Sequence, residues 1–259
     1  LVFASVFEEI VIQILTLQTP NTFLYAIYSL FIMETIITDD GSITFRHPEH
    51  LEPYHTKSGA VVEAMEKHAR ALHVWEKNNP VIFDICSGLS YSAACALEEI
   101  RRHGNESFVT IYLFENDRVI LEKNLELSQL TYIQDGIPKE ISCYFHFRNA
   151  IKKYLEAGVQ IYTSTNLRIV IIFGDFRNNI DTISVHADYI FYAPFSPQIS
   201  KELWTPDVFK KLFDKLNSGG KLSTYSYARS VRDALSEVGF KIEKGPVLGR
   251  RSPSLIAKK

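Results

Sequence analysis

The clearest signal along the chain is a series of short apolar runs separated by amphipathic stretches. Val81-Ile82-Phe83-Asp84-Ile85 is the first, followed by a Cys86-Ser87-Gly88-Leu89-Ser90 loop. Short runs of this kind predict strands buried on both faces. Ala93, Ala94, Leu97 and Ile100 then recur at helical spacing, and His103-Gly104-Asn105 stops that helix. Further strands are predicted at 108–114, 169–173, 188–193 and 221–226. Helices are predicted at 117–127, 149–157, 205–217 and 228–238, the third with Thr205 as N-cap and Pro206 at its first position. Two short strands near 240–244 and 254–258 close the chain, while 131–148 is ambiguous. Strands alternating with helices predict a parallel sheet covered on both faces, with the closing pair as an antiparallel edge hairpin.

Residues 34–79 form an N-terminal extension of this 80–259 unit, with a hairpin turn at Asp39-Asp40-Gly41 and a helix from about Gly59 to Glu76. Residues 1–33 are a separate apolar segment in which Glu8 and Glu9 are the only charges. That segment lacks the basic start and cleavage site of a signal peptide. Gln18-Thr19-Pro20-Asn21-Thr22 splits it into runs too short for a bilayer, so no membrane association is expected. Translation is expected to start naturally at Met33, or residues 1–32 to pack loosely outside the domain.

Composition adds little until it is read by region. Hydrophobic residues make up 46% of the 259 and charged residues 22%, as in ordinary soluble domains. The net charge of −2 gives no global case for nucleic acid. Residues 198–259, however, hold 13 Lys/Arg against 6 Asp/Glu. A basic quarter on an acidic body suits contact with a polyanion, although solvated basic helices give the same count. Three cysteines without CxxC spacing suggest neither a disulfide framework nor a metal site, and fit the cytoplasm.

Candidate chemistry lies at the strand ends. In open α/β sheets, ligands bind outside the carboxyl ends of the strands. Asp84 lies in the first strand and Gly88 in its loop; Glu115 ends the second and Asp175 follows the third. An acid at the Glu115 position can accept bonds from two ribose hydroxyls, and Asp175 from an adenine amino group. Polar residues end strands in any α/β domain, but three acids in this order favour a nucleoside ligand. No GxGxxG phosphate loop occurs, which favours S-adenosylmethionine over NAD.

Several ordered motifs then resemble one family. These are Asp39-Asp40-Gly41-Ser42, Tyr54-His55-Thr56-Lys57-Ser58-Gly59-Ala60 with Glu63, and the loop from Asp84 to Tyr91. Phe195-Ser196-Pro197 follows, with Glu202-Leu203-Trp204-Thr205, then Gly220 to Ser226, Val231-Arg232 and Gly249-Arg250-Arg251. Together, over roughly 34–259, they resemble the MnmC-type tRNA methyltransferase domain in a stand-alone form without its FAD domain. The resemblance implies a Rossmann-like class I S-adenosylmethionine-dependent methyltransferase with a mostly parallel seven-stranded sheet. It implies N-methylation of 5-aminomethyl-2-thiouridine at the tRNA wobble position. A separate oxidoreductase or other aminomethyl-forming enzyme would then act upstream.

On this resemblance Asp84, Cys86, Gly88, Tyr91, Glu115 and Asp175 bind the cofactor. Tyr192, Pro194 and Phe195 serve catalysis, Phe195 by holding a developing cation over its ring. Tyr54 and His55 line the substrate entrance, and Arg229, Arg232, Arg250 and Arg251 contact tRNA phosphates. Core packing of the aromatics and solvated surface arginines are the ordinary alternatives. Two departures stand out. Cys86 and Ser90 replace family glycines, which is expected to narrow the methionine end of the cofactor site. Ala193 replaces a family acid, which predicts slow turnover or a shifted substrate, with backbone carbonyls near Ala193-Pro194 as stand-ins. Two other functions stay open: a same-fold methyltransferase for another amine or nucleobase, and a non-catalytic cofactor- or RNA-binding protein.

Overall fold

Side-chain hydrogen bonding at one turn sets how the N-terminal extension meets the rest of the chain. The computed structural model describes residues 33–249 and 251–259, so the expectations for residues 1–32 and Arg250 lie outside the described residues. β1 (Glu34–Ile37) and β2 (Ile43–Arg46) form the expected antiparallel hairpin. Asp40 Oδ1 accepts from the Thr38 hydroxyl at 2.7 Å and the Ser42 amide at 2.9 Å. Its Oδ2 accepts from Val62 N at 2.9 Å, which satisfies a free amide at the start of α1 (Ala60–Ala64). A Cβ on Gly59 would lie 2.7 Å from Asp40 Oδ2, so only glycine fits where hairpin and helix meet. The helix continues as a π-helical turn over Met65–Arg70, with a separate 3-10 turn at Val74–Glu76.

The α/β unit then runs in order. β3 (Val81–Ile85) leads to α2 (Tyr91–Arg102), and β4 (Val109–Glu115) to α3 (Arg118–Glu126). A small hairpin follows, β5 (Thr131–Gln134) and β6 (Ile137–Glu140), and then α4 (Tyr144–Ala157). Next come β7 (Ile161–Ser164), β8 (Leu167–Phe173), the short α5 (Phe176–Asn179) and β9 (Ala187–Tyr192). α6 (Pro206–Lys215), β10 (Leu216–Thr224), α7 (Arg229–Glu237), β11 (Lys241–Val247) and β12 (Pro253–Lys258) complete the chain.

The sheet order is β11-β12-β10-β9-β3-β4-β8-β7. The five strands from β10 to β8 are parallel, with β11 and β12 antiparallel at one end and β7 antiparallel at the other. Strand side chains alternate between two cores. Ile82 packs with Ala93, Leu97 and Ile151; Phe83 and Ile85 pack with Phe209, Leu212 and Val231. The strand order reverses beside β3, and that is where such sheets bind ligands.

The expected fold class holds, and several details refine it. The sheet has eight strands, not seven. β7 alternates between exposed and half-buried residues and is polar at Thr163 and Ser164, so it carries no apolar run. The ambiguous 131–148 region is a hairpin turning at Asp135-Gly136, both with positive φ (52° and 75°), followed by a helix that starts at Tyr144. β10 begins at Leu216, inside the stretch expected to end a helix. Cys86 and Ser90 adopt φ of 59° and 61°, the left-handed backbone that favours glycine. The three cysteines are free thiols. No helix among the described residues is long and apolar enough to cross a membrane.

A left-handed backbone costs a residue with a Cβ roughly 1–2 kcal/mol. Ser90 adds a buried hydroxyl that has no partner among the described residues. Ser90→Gly should therefore stabilise the fold by about 0.5–1 kcal/mol, after the glycine's greater unfolded-state entropy is offset. Urea denaturation measures this, and a lower midpoint for the variant would refute strain at this position.

Candidate active site

A cavity of about 690 Å³ opens at the carboxyl ends of β3, β4, β8 and β9. Segment 47–56, coming off β2, forms part of its wall. The β3 end supplies Asp84, Cys86, Ser87 and Gly88, the β4 end Glu115 to Asp117, and the β8 end Asp175 and Arg177. Ala193 to Ser196 follow β9.

Glu115 organises the cofactor end. Its Oε2 accepts from Gly88 N at 2.7 Å, and its Oε1 accepts from the amides of Asn116 at 2.8 Å and Asp117 at 2.9 Å. Burial outweighs these donors and pushes the carboxyl up to about 7. Asp84 is fully buried and held well above the ordinary carboxyl range by that burial, with Glu115 adding repulsion. Among the described residues, Asp84 Oδ2 and Ser87 Oγ are buried without a hydrogen-bond partner, and both residues line the cavity. Buried polar atoms rarely stay unpaired in native proteins. Asp175 is half-buried, and its carboxylate is forked by Arg177, with Nη2 at 2.5 Å from Oδ2. That hydrogen-bonded pairing holds its carboxyl below the usual range. Cys86 lines the cavity with its thiol pushed up by burial.

The other end is aromatic. Phe195 meets Tyr54 (ring centroids 5.2 Å apart), His47 (5.3 Å) and His50 (4.7 Å). Tyr54 donates to Asp117 Oδ2 at 2.6 Å, which joins the aromatic group to the Glu115 turn. Glu52 reaches across to the loop after β9. It accepts from Ser196 N at 2.9 Å and the Ser196 hydroxyl at 2.6 Å. Tyr225 donates to the Pro194 carbonyl at 2.8 Å, and the Trp204 indole to the Phe195 carbonyl at 2.9 Å. The two carbonyls thus already have donors, which weakens the idea that backbone acceptors replace an acid at Ala193. His55 bonds Thr44 Oγ1 through Nδ1 at 3.0 Å and is held neutral by burial, pushed down to about 4.

Of the sequence-predicted residues, Asp84, Cys86, Gly88, Glu115, Asp175, Tyr54, His55, Pro194 and Phe195 line this one cavity. Tyr91 and Tyr192 are not among its lining residues. Tyr91 is buried, stacks on His55 and donates to the Ile43 carbonyl at 2.7 Å. Tyr192 is buried between Phe176, Trp204 and Phe209, and its hydroxyl is taken by the Leu203 carbonyl. Arg229 and Arg251 are exposed outside the cavity, while Arg232 lies over the Tyr227 ring at 4.7 Å. Sequence reasoning missed Glu52 and His50, which no motif signals, and it included Tyr225 in the Gly220 to Ser226 motif without giving it a role.

The fold and this site define a class I S-adenosylmethionine-dependent methyltransferase. A family model described as S-adenosyl-L-methionine-dependent methyltransferase matches residues 144–259. An uncharacterized protein of Methanocaldococcus jannaschii is 30% identical over 222 residues, covering 86% of this chain and 58% of that protein. The tRNA 5-methylaminomethyl-2-thiouridine biosynthesis bifunctional protein MnmC of Leptospira borgpetersenii is 34% identical over 155 residues, covering 57% of this chain and 24% of that protein. This chain thus spans less than two thirds of either relative. The crystal structure of MNMC2 from Aquifex aeolicus superposes with a TM-score of 0.68 at 25% identity, covering 98% of this chain and 83% of that one. Over these stretches the chain is similar to MnmC-type methyltransferase domains.

The residues present fit S-adenosylmethionine. Asp84 Oδ2 and Ser87 Oγ offer unused polar atoms for its amino-acid end, and Glu115 offers a carboxylate for ribose hydroxyls. Hydroxyl donors favour the charged form of Glu115. Affinity for S-adenosylhomocysteine should therefore rise with pH through about 7 and level off above it. Glu115→Gln should remove that step, and Glu115→Ala should weaken binding by ~1.5–3 kcal/mol. Calorimetric titration on either side of neutrality measures both, and a pH-independent wild type would refute the assignment. The sign for folding is opposite. The folded-state value lies above the ordinary 4.5, so this group's contribution to stability is full below that value and is lost as pH rises through about 7.

Proposed function

We propose that the protein methylates the primary amine of 5-aminomethyl-2-thiouridine at the tRNA wobble position. The observation carrying this reading is the two-ended cavity, with buried strand-end carboxyls at one end and an aromatic group around Phe195 at the other. The bound cofactor supplies an electrophilic methyl group. Asp84, Ser87, Gly88 and Glu115 hold and orient that cofactor; Asp175 reaches its adenine once released from Arg177. Tyr54 and Phe195 form the apolar wall that excludes water and faces the amine, and His55 stays neutral beside them. The MnmC relatives, named for 5-methylaminomethyl-2-thiouridine biosynthesis, support the substrate class. An aminomethyl-forming enzyme acts upstream, and the reaction takes place in the cytoplasm. Ala193, which leaves the end of β9 without a carboxylate, favours a second reading in which the accepted amine differs.

Tritiated methyl transfer to tRNA tests the substrate. Label should appear only in tRNA bearing the aminomethyl nucleoside; label in other tRNA alone would refute the reading. Arg229 and Arg251 are proposed phosphate contacts outside the cavity. Arg251→Ala should weaken tRNA binding and lower the log–log salt slope by about 1, the loss of one phosphate contact. Binding of the isolated nucleoside should not change. An unaltered salt slope would make Arg251 a solvated surface charge.

A further inference from the structure

We propose that His50 is the group that takes the proton from the substrate amine, a role that rests on the amine reading above. An alkylamine is mostly protonated at neutral pH, and its nitrogen has no lone pair for the methyl carbon until a proton leaves. A base within hydrogen-bond reach of that nitrogen is therefore needed. Ala193 supplies no polar side chain at the end of β9. The base must come from the other wall.

Hydrogen bonding decides among the groups on that wall. His47 Nδ1 accepts from the amides of Glu49 at 3.2 Å and His50 at 3.1 Å. The neutral His47 ring therefore carries its hydrogen on Nε2, which faces Asp117 at 3.9 Å, and burial keeps the ring neutral. Both oxygens of Glu52 are held by Ser196. Asp117 accepts from Val119 N at 2.8 Å and from the Tyr54 hydroxyl at 2.6 Å. Burial and Asp117 hold the Tyr54 hydroxyl far above its ordinary range, so it keeps its proton. Glu202 is exposed, and its charge acts on Arg177. Glu49 is exposed at the rim, where its charge acts on His47.

His50 differs from all of these. Its ring lies 4.7 Å from Phe195 and 4.3 Å from His47, centroid to centroid, and lines the cavity. Its backbone amide is bonded to His47, but among the described residues neither ring nitrogen has a hydrogen-bond partner. The imidazole is half-buried, so it reaches both the cavity and solvent. The Glu52–Ser196 bonds hold the 47–54 segment against the loop that carries Phe195, which keeps the ring in place. The step balances as follows. An ammonium N–H bond of the substrate breaks and an imidazole N–H bond forms. The freed lone pair bonds the methyl carbon as the carbon–sulfur bond breaks, and the imidazolium returns its proton to water.

The test uses the whole protein with aminomethyl-bearing tRNA. His50→Gln should lower kcat at neutral pH by at least ~100-fold, as expected for a lost base, with unchanged affinity for S-adenosylhomocysteine. The acid limb of the wild-type pH profile should disappear, and added imidazole should partly restore His50→Ala. A second readout needs no turnover. With S-adenosylhomocysteine bound, 5-aminomethyl-2-thiouridine nucleoside should shift the His50 ring-proton resonance, leaving that of His146, on α4, unmoved. Wild-type kcat in His50→Gln with the acid limb intact, or an unmoved His50 resonance, overturns the proposal alone. Failure of the wild type to label that tRNA overturns the amine reading, and this inference with it.

Discussion

Among the described residues, a buried carboxylate without a cation partner is the constraint from which the site follows. Glu115 accepts from three backbone amides, those of Gly88, Asn116 and Asp117. These amides belong to the loop after β3 and to the turn that starts α3. One side chain thus fixes two neighbouring loops at the point where the strand order reverses. Its neighbour Asp117 caps α3 through Val119 N and takes the Tyr54 hydroxyl, which leads on to Phe195. The cofactor end and the aromatic end are therefore held by one connected set of bonds. Loss of any member would disturb the others, so substitutions here combine non-additively.

The sequence was most informative where a local pattern carries the physics. Runs such as Ile169 to Phe173 are apolar because a central parallel strand is covered on both faces, and their acidic ends follow from the fold. The Asp135-Gly136 turn carried a hairpin signal too, but the four-residue strands around it are largely exposed and lack a hydrophobic period. β7 is missed for the same reason. Cys86 and Ser90 show a subtler gap. A change from glycine suggests a changed backbone, whereas both residues keep the left-handed conformation because the hydrogen bonds around them fix the loop, Ser87 N donating to Phe114 O at 3.0 Å and Ser90 N to Ser87 O at 2.7 Å.

Tyr91 and Tyr192 illustrate the converse. Tyr91 sits at a motif position and Tyr192 just ahead of one, and both spend their hydroxyls on backbone carbonyls. Proximity in sequence placed them near the site; side-chain direction took them out of it. Glu52, and the role of Tyr225 within its motif, are illegible for a different reason, since their partners Ser196 and Pro194 lie elsewhere in the chain and only the folded sheet brings them together.

The Glu52–Ser196 clamp also bears on how the molecule assembles. It joins positions 144 residues apart in the chain. Closing so long a loop costs entropy before any contact offsets it. Between them, the β3–β4 and β4–β8 pairings span far fewer residues and include the Glu115 turn, whereas β3–β9 joins Ile82 to Tyr189. The clamp gains nothing until that sheet exists to carry Ser196. The cofactor half of the cavity can thus be complete on a partly folded chain, while the wall formed by 47–56 closes only as the last parallel pairings are made. Nascent chains would then pass through a species able to hold cofactor but not yet able to enclose a second molecule beside it.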